Sequence, residues 1–273
     1  MRAVVTGASG FIGHHLVDHR WQKGWDVVTV SGISWDAEDS QRTARGSAAE
    51  IVFHLAGVKR AAHPADYYAT NVVLTARLLE AISALPSPPT IVLIGSAAEY
   101  GRVAETELPV REDKPCFPTS DYAISKYAQT LIGLARAESG LPLVIARLWN
   151  PVGPGLSKHF ALASFAQQIA TLPRSAGTLH VGNLDAERDF LDVRESVRLI
   201  AALGCNTAAR GQVVNVCSGR SYRLRLIVEA MIEGRAPYRD PHRTRSGTRA
   251  RGYGLIRRRH LSSRCLRTAL RRA

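Results

Sequence analysis

Near the middle of this 273-residue chain, Tyr122-Ala123-Ile124-Ser125-Lys126 holds the residue types best suited to chemistry. A tyrosine and a lysine four apart on a helix share one face, a turn from each other. An ammonium beside a phenol favours the phenolate, so Tyr122 is expected to exchange a proton near neutral pH. A second hydroxyl, Ser96, closes the apolar run 90–95 in Gly95-Ser96-Ala97-Ala98-Glu99-Tyr100-Gly101. In an open parallel sheet, ligands bind off the carboxyl ends of the strands, which is where Ser96 falls. Taken alone, Ser96 reads as a cap or turn residue. Taken with Tyr122 and Lys126, it polarises a carbonyl oxygen while the phenol passes a proton. The ammonium then tunes the phenol and holds a ribose.

Positioning such a trio requires a rigid scaffold, and the chain has one in its pattern. Apolar runs at 2–6, 26–30, 51–55, 90–95 and 142–147 predict strands buried on both faces. Helical spacing falls between them at 11–23, 66–84 and 120–138, the last with Thr119, Ser120 and Asp121 as candidate N-caps. This alternation predicts an α/β protein, a doubly wound parallel sheet of Rossmann type over residues 1–150. From 151 the pattern is less regular: a Pro/Gly loop over 151–155, helices near 159–171, 194–203 and 222–233, and short strands near 178–181 and 212–216. Residues 151–233 are read as a small substrate region, incomplete at its C-terminal side.

The first strand runs into Thr6-Gly7-Ala8-Ser9-Gly10-Phe11-Ile12-Gly13 and a helix. Glycines there permit a tight turn and let a pyrophosphate approach amides at a helix N-terminus. The predicted dinucleotide contacts are Gly7, Ser9, Gly10, Phe11, Ile12 and Gly13. After the second strand stand Ser31 and Gly32, with no Asp or Glu to bind a ribose 2′-hydroxyl. That favours NADP(H), and NAD(H) stays open. Asp36 is placed either to reach the adenine edge or as an ordinary surface acid.

Four cysteines without C-x-x-C spacing predict no metal or disulfide framework. No apolar run reaches membrane-spanning length, and no signal peptide precedes the first strand pattern, so the expected location is cytoplasmic. The net charge is +13, yet residues 234–273 contain thirteen arginines and one acid, Asp240, and so hold +12 of it. The body of the chain is near neutral.

Together these residues resemble the extended short-chain dehydrogenase/reductases, the NAD-dependent epimerase/dehydratase family that acts on nucleotide sugars. The resemblance covers roughly 1–233. It rests on Thr6 to Gly13, Phe53-His54-Leu55-Ala56-Gly57, Thr70-Asn71-Val72, Ser96 to Gly101, Tyr122 to Lys126, Arg147-Leu148-Trp149-Asn150-Pro151 and Arg188-Asp189-Phe190. It implies catalytic roles for Ser96, Tyr122 and Lys126, and cofactor contacts from Leu55, Ala56 and Gly57 as well as Tyr122 and Lys126. It also implies a substrate-facing Asn150, a structural Asn71 and a homodimer through the helix bearing the Tyr/Lys pair.

Residues 181–194, with Asn183 and Arg188, are similar to the GDP-mannose branch, which contains 4,6-dehydratases and GDP-4-keto-6-deoxy-D-mannose reductases. Arg188 is expected to hold a substrate diphosphate, or else to pair with Asp189 or Asp192. A dehydratase also needs an acid/base carboxylate beside the active hydroxyl. Here Ala97 and Ala98 follow Ser96, and Glu99, if on a strand, would point to the face opposite Ala98. The expected reaction is therefore reduction of GDP-4-keto-6-deoxy-D-mannose to GDP-D-rhamnose, with a nucleotide-sugar 4-epimerase or a non-catalytic cofactor sensor as alternatives.

The resemblance fades after Glu233. The arginine-rich residues 234–273 have three readings: a nucleic-acid arm, a membrane-surface helix, or the product of a shifted reading frame. Scarce aromatics disfavour the first, a ragged apolar face the second, and the third is favoured, with the tail disordered. Neither a membrane nor a nucleic-acid partner is expected.

Overall fold

The structure is a computed structural model and describes residues 1–30, 48–173 and 177–234. Ser31, Asp36 and the arginine-rich stretch from 235 on lie outside the described residues. The described chain falls into two compact units, one of Met1–Gly155 with Asp189–Arg220, the other of Leu156–Arg188 with 221–234. Residues 189–220, grouped by sequence with the substrate region, are thus part of the first unit.

Among the described residues the first unit is built on a six-stranded sheet: β1 (Arg2–Thr6), β2 (Asp26–Val30), β3 (Ile51–His54), β4 (Thr90–Ser96), β5 (Leu143–Leu148) and β9 (Val213–Val216). The order is β2-β1-β3-β4-β5-β9 and every pairing is parallel, as a doubly wound Rossmann sheet requires. Because successive side chains point to opposite faces, continuous apolar runs fill two cores at once. Ala3 and Val5 face one core with Leu16, Val17 and the helix Val193–Cys205; Val4 faces the other with Leu74, Leu78 and Leu79. The chain winds from β1 outward to β2, then returns to β3 on the other side, so a crevice opens beyond the C-terminal ends of β1 and β3.

The helix that bears the reactive pair spans Asp121–Glu138, and Ser120 caps it by accepting the Ala123 N–H. It lies close on the sheet because Gly133 has no side chain: a Cβ there would meet Leu93 Cδ2 at 2.8 Å. Leu93 is fully buried at that contact. Leu93→Ala is expected to destabilise the chain by about 2–5 kcal/mol through lost burial and the cavity left behind. Denaturant unfolding would measure it.

Two elements differ from the sequence pattern. The stretch 66–84 is not one regular helix: Pro64–Tyr68 and Leu74–Ser83 are joined by a π-helical turn over Ala69–Val73. Such a turn is often found at functional sites, and this one buries Asn71 completely. No strand forms over the described residues at 178–181. That run is short and exposed at Val181, so no sheet edge or core rewards extension.

The second unit contains the helices Ala161–Thr171 and Leu224–Gly234 and an antiparallel pair, β7 (Glu187–Arg188) with β10 (Tyr222–Arg223). Leu162, Phe165, Ile169 and Val228 are buried there, while Leu226 and Ile232 stay exposed. Back in the first unit, the short strands β6 (Asn150–Val152) and β8 (Phe190–Asp192) pair in parallel.

Candidate active site

The glycine loop closes the end of β1 with very little space to spare. Gly7 sits at φ +67°, and a Cβ on it would lie 2.7 Å from the Ala56 nitrogen and the Leu55 carbonyl carbon. A Cβ on Gly13 would lie 2.2 Å from the Gly7 oxygen. Gly10 donates its N–H to Gly7 O at 3.0 Å and serves as N-cap of the helix Phe11–Trp21, with no side chain capping that end. No acid occupies the first turn. A helix start with free amides, glycine walls and no carboxylate suits the pyrophosphate of a dinucleotide. Ser9 is exposed, Phe11 and Ile12 are half-buried, and Leu55 and Ala56 are tied to this loop by their N–H bonds to Thr6. Gly57 packs tightly on the Asn71 side chain.

Behind the loop runs a buried chain of polar groups. Thr75 donates its hydroxyl to Asn71 O, so it can only accept from His54 Nε2 and Gln129 Nε2. His54 therefore carries its proton on Nε2, and its Nδ1 accepts from the Thr6 hydroxyl at 2.8 Å. Full burial, with the Lys126 charge adding to it, holds His54 down at about 3, so the ring is neutral. Gln129 then accepts from Lys126, whose ammonium also donates to Ile94 O at 2.5 Å. Two of the three Lys126 donors are engaged in this way, and the third has no partner among the described residues.

The trio meets at the end of β4. Ser96 lies close enough to the Tyr122 phenol for the two side chains to interact. Ser96 Oγ also accepts the Ala98 N–H, which takes one lone pair and orients the hydroxyl. One expectation is reversed here. Burial pushes the Tyr122 phenol above its ordinary value, against the lowering effect of Ser96, and Lys126 is turned to Ile94 and Gln129 instead. Tyr122 is thus a protonated acid at neutral pH and not an incipient phenolate. The Tyr67 ring packs edge-on against it at 6.2 Å.

Lys126 is 6 % exposed, and burial lowers it to about 8, opposed by the charge of Glu99. Glu99 itself departs from its expected placement. Residues Ala97–Tyr100 form a 3-10 turn and not a strand, and the carboxylate folds back under Ser96. It accepts the Ser96 N–H at 2.6 Å, the Thr130 hydroxyl at 2.9 Å, and Arg147 Nε and Nη2 at 3.0 and 2.9 Å. Arg147 in turn lies 4.5 Å over the Tyr100 ring. The spacing Ser-x-x-Glu is a capping-box signature, so the sequence did carry a signal for this arrangement.

The three residues expected at the substrate are placed differently from one another. Asn150 is in the first unit, half-buried, with its amide donated to Asp189 O at 2.8 Å. Asn183 and Arg188 belong to the second unit and are exposed. Asn183 Oδ1 accepts the Asp185 N–H, and Arg188 donates to Glu187 O. Neither carboxylate named as a rival partner of Arg188 pairs with it. Asp189 accepts the N–H groups of Ser218, Gly219 and Arg220, and Asp192 pairs with Arg194. Among the described residues no group of His, Cys, Asp and Glu could hold a metal ion, and no helix is long and apolar enough to cross a membrane.

A parallel sheet with a glycine-walled helix start at β1 and a hydroxyl pair at β4 defines a dinucleotide-binding enzyme fold. The chain belongs to the NAD dependent epimerase/dehydratase family, whose model matches residues 3–217. It is 35 % identical over 242 residues to GDP-6-deoxy-D-mannose reductase of Pseudomonas aeruginosa, covering 85 % of this chain and 79 % of the relative. It is 31 % identical to dTDP-6-deoxy-L-talose 4-dehydrogenase (NAD(P)(+)) of Kitasatospora kifunensis, covering 85 % and 78 %. Among solved structures, RMD from Pseudomonas aeruginosa complexed with NADPH superposes with a TM-score of 0.75 at 31 % identity, covering 84 % of this chain and 81 % of that one.

Proposed function

We propose that this enzyme reduces the C4 ketone of a nucleotide-linked 4-keto-6-deoxyhexose, GDP-4-keto-6-deoxy-D-mannose, to give GDP-D-rhamnose with NADPH as the preferred reductant. The observation that carries the reading is the neutral Tyr122 phenol beside Ser96 at the end of β4, with no free carboxylate at the turn. Ala97 and Ala98 have no proton to move, and both oxygens of Glu99 are engaged. Dehydration lacks its acid/base, whereas ketone reduction needs only an oxyanion donor and a proton donor.

Bound NADPH would supply the hydride. Gly7, Gly10 and Gly13 with the helix amides would hold its pyrophosphate, and Leu55, Ala56 and Gly57 would line the path toward the ring. The unpaired third donor of Lys126 would grip the nicotinamide ribose. Ser96 would donate to the carbonyl oxygen as negative charge grows there, and Tyr122 would deliver the proton. Within the first unit, Asn150 would meet the sugar; in the second, Asn183 and the Arg188 guanidinium are groups of the kind that bind a sugar nucleotide and its diphosphate. The name of the Pseudomonas aeruginosa relative and the NADPH of the superposed structure support this substrate and cofactor. Ile124 and Leu131, exposed on the Tyr122 helix, support a homodimer through that face.

The test is purified full-length chain given this ketosugar and NADPH, with oxidation of the cofactor followed optically. One NADPH consumed per ketosugar is the expected result. Cofactor that stays bound through dialysis and never turns over with net redox would instead mark a 4-epimerase. Turnover should fall as pH rises through about 8, because Lys126 is charged below that value and neutral above it. The phenol stays protonated across the same range, since burial raises it. A Lys126→Met variant should lose this alkaline limb and bind NADPH more weakly.

A further inference from the structure

Glu99 is fully buried in an apolar sheet layer and its partner Arg147 is 3 % exposed, an arrangement that needs excellent geometry to be tolerated. Room has been made for it. Gly95, directly before Ser96, would put a Cβ 2.8 Å from Glu99 Oε1, so a side chain there would displace the carboxylate. One oxygen holds the main chain of Ser96; the other holds Thr130. Thr130 lies on the same helix as Tyr122 and Lys126, at successive four-residue steps, so all three project from one stripe. The carboxylate is therefore a strut between the two elements that deliver the catalytic hydroxyls.

We propose that Glu99 is a positioning residue: through its bonds to Ser96 N–H and the Thr130 hydroxyl it fixes the Ser96 turn against the Tyr122/Lys126 helix. The expected effect on turnover rests on the reductase reading above; the lysine titration used as a second readout does not. The groups facing Lys126 are few. His54 on β3 is neutral, and the Leu74–Ser83 helix offers only the Thr75 hydroxyl. Tyr122 on its own helix is a neutral phenol. Arg147 on β5 stands behind Glu99 and is paired with it. Glu99 is the one anion that acts on the ammonium among the described residues.

The experiment uses the full chain as wild type, E99Q and the double variant E99Q/R147M. The chain has five lysines, so NMR of ¹³C-labelled lysine resolves each titration, with K126M to assign the signal. Wild-type Lys126 should titrate at about 8. In E99Q its midpoint should drop by about one unit. Assayed at about pH 6, where Lys126 is charged in both proteins, the kcat for ketosugar reduction should drop about 10- to 100-fold while KM and NADPH affinity hold within about twofold, the signature of displaced reacting groups. E99Q leaves the Arg147 charge buried alone and is at risk of misfolding. The double variant removes both charges, retains an acceptor for Ser96 N–H, and should show the same fall in kcat in a stable fold, with a smaller lysine shift because loss of the Arg147 charge offsets part of the loss of Glu99. A folded E99Q or double variant with the wild-type Lys126 midpoint and wild-type kcat would overturn the proposal and leave Glu99 as packing. Should wild type itself fail to turn over, the reductase reading falls, and the lysine titration still decides the role of Glu99.

Discussion

Tyr122→Phe is expected to lower ketone reduction by roughly 10²–10⁴-fold while leaving the fold and NADPH binding intact. The phenol hydroxyl is the one group at the site that is both acidic enough to give a proton and free of a competing structural duty. Its ring is held by packing against Tyr67, which phenylalanine preserves. Among the described residues its hydroxyl interacts with Ser96, and Ser96 keeps the Ala98 N–H when the phenol is removed. Loss of stability should therefore be small, and circular dichroism and a thermal melt should match wild type. The discriminating measurement is kcat, with the NADPH dissociation constant as control. A variant that retained full turnover would remove Tyr122 from the mechanism and with it the reductase reading. Ser96→Ala should cost somewhat less, about 10²–10³-fold, the usual size for one oxyanion donor.

Which parts of this site the sequence could reveal follows from how local each signal is. Strands buried on both faces read as unbroken apolar runs, so Ile51–His54 and Leu143–Leu148 were visible within a residue or two. The glycine loop was visible because close backbone approach tolerates only one residue type at Gly7 and Gly13. The direction of the Tyr122 shift was not visible. It depends on burial and on where the Lys126 ammonium turns, and both are set by Ile94 and Gln129, which contact it only in the folded state. The π-helical turn at Asn71 was hidden for a similar reason. A single inserted residue leaves the apolar spacing of 66–84 nearly unchanged, while the bonds from Asn71 to Val58 and Ser125 join positions 13 and 54 residues away. Glu99 is the instructive intermediate case. Its bond to Ser96 is local and follows a known capping pattern, but its bonds to Thr130 and Arg147 reach 31 and 48 residues along the chain. Sequence could have given the cap; only the fold gives the strut.

Gly13→Ala is expected to weaken NADPH binding by about 100-fold or more, equivalent to about 2.7 kcal/mol. The added methyl would stand 2.2 Å from Gly7 O, 2.8 Å from Ala8 Cα and 2.9 Å from Gly7 C. All three are backbone atoms, which cannot swing aside as a side-chain end can, so the loop itself must move away from the helix start. That movement pulls apart the two features a pyrophosphate needs together, the glycine turn and the amides of the first helical turn. Gly7→Ala should be comparably damaging for two reasons, a φ of +67° and a methyl 2.7 Å from the Ala56 nitrogen. Gly10→Ala should be milder, about tenfold, because its backbone is extended at φ −75° and its methyl would sit 3.2 Å from Gly7 O. Gly24 supplies the control. It has φ +72° with nothing within 4 Å, so an alanine there costs about 1–2 kcal/mol of stability from backbone strain and leaves cofactor affinity unchanged. Titration by NADPH fluorescence across the four variants should return that order. Equal affinities for the Gly13 and Gly24 variants would mean that the dinucleotide binds elsewhere, and no rearrangement of Ser96, Tyr122 and Lys126 could then place a hydride donor beside them.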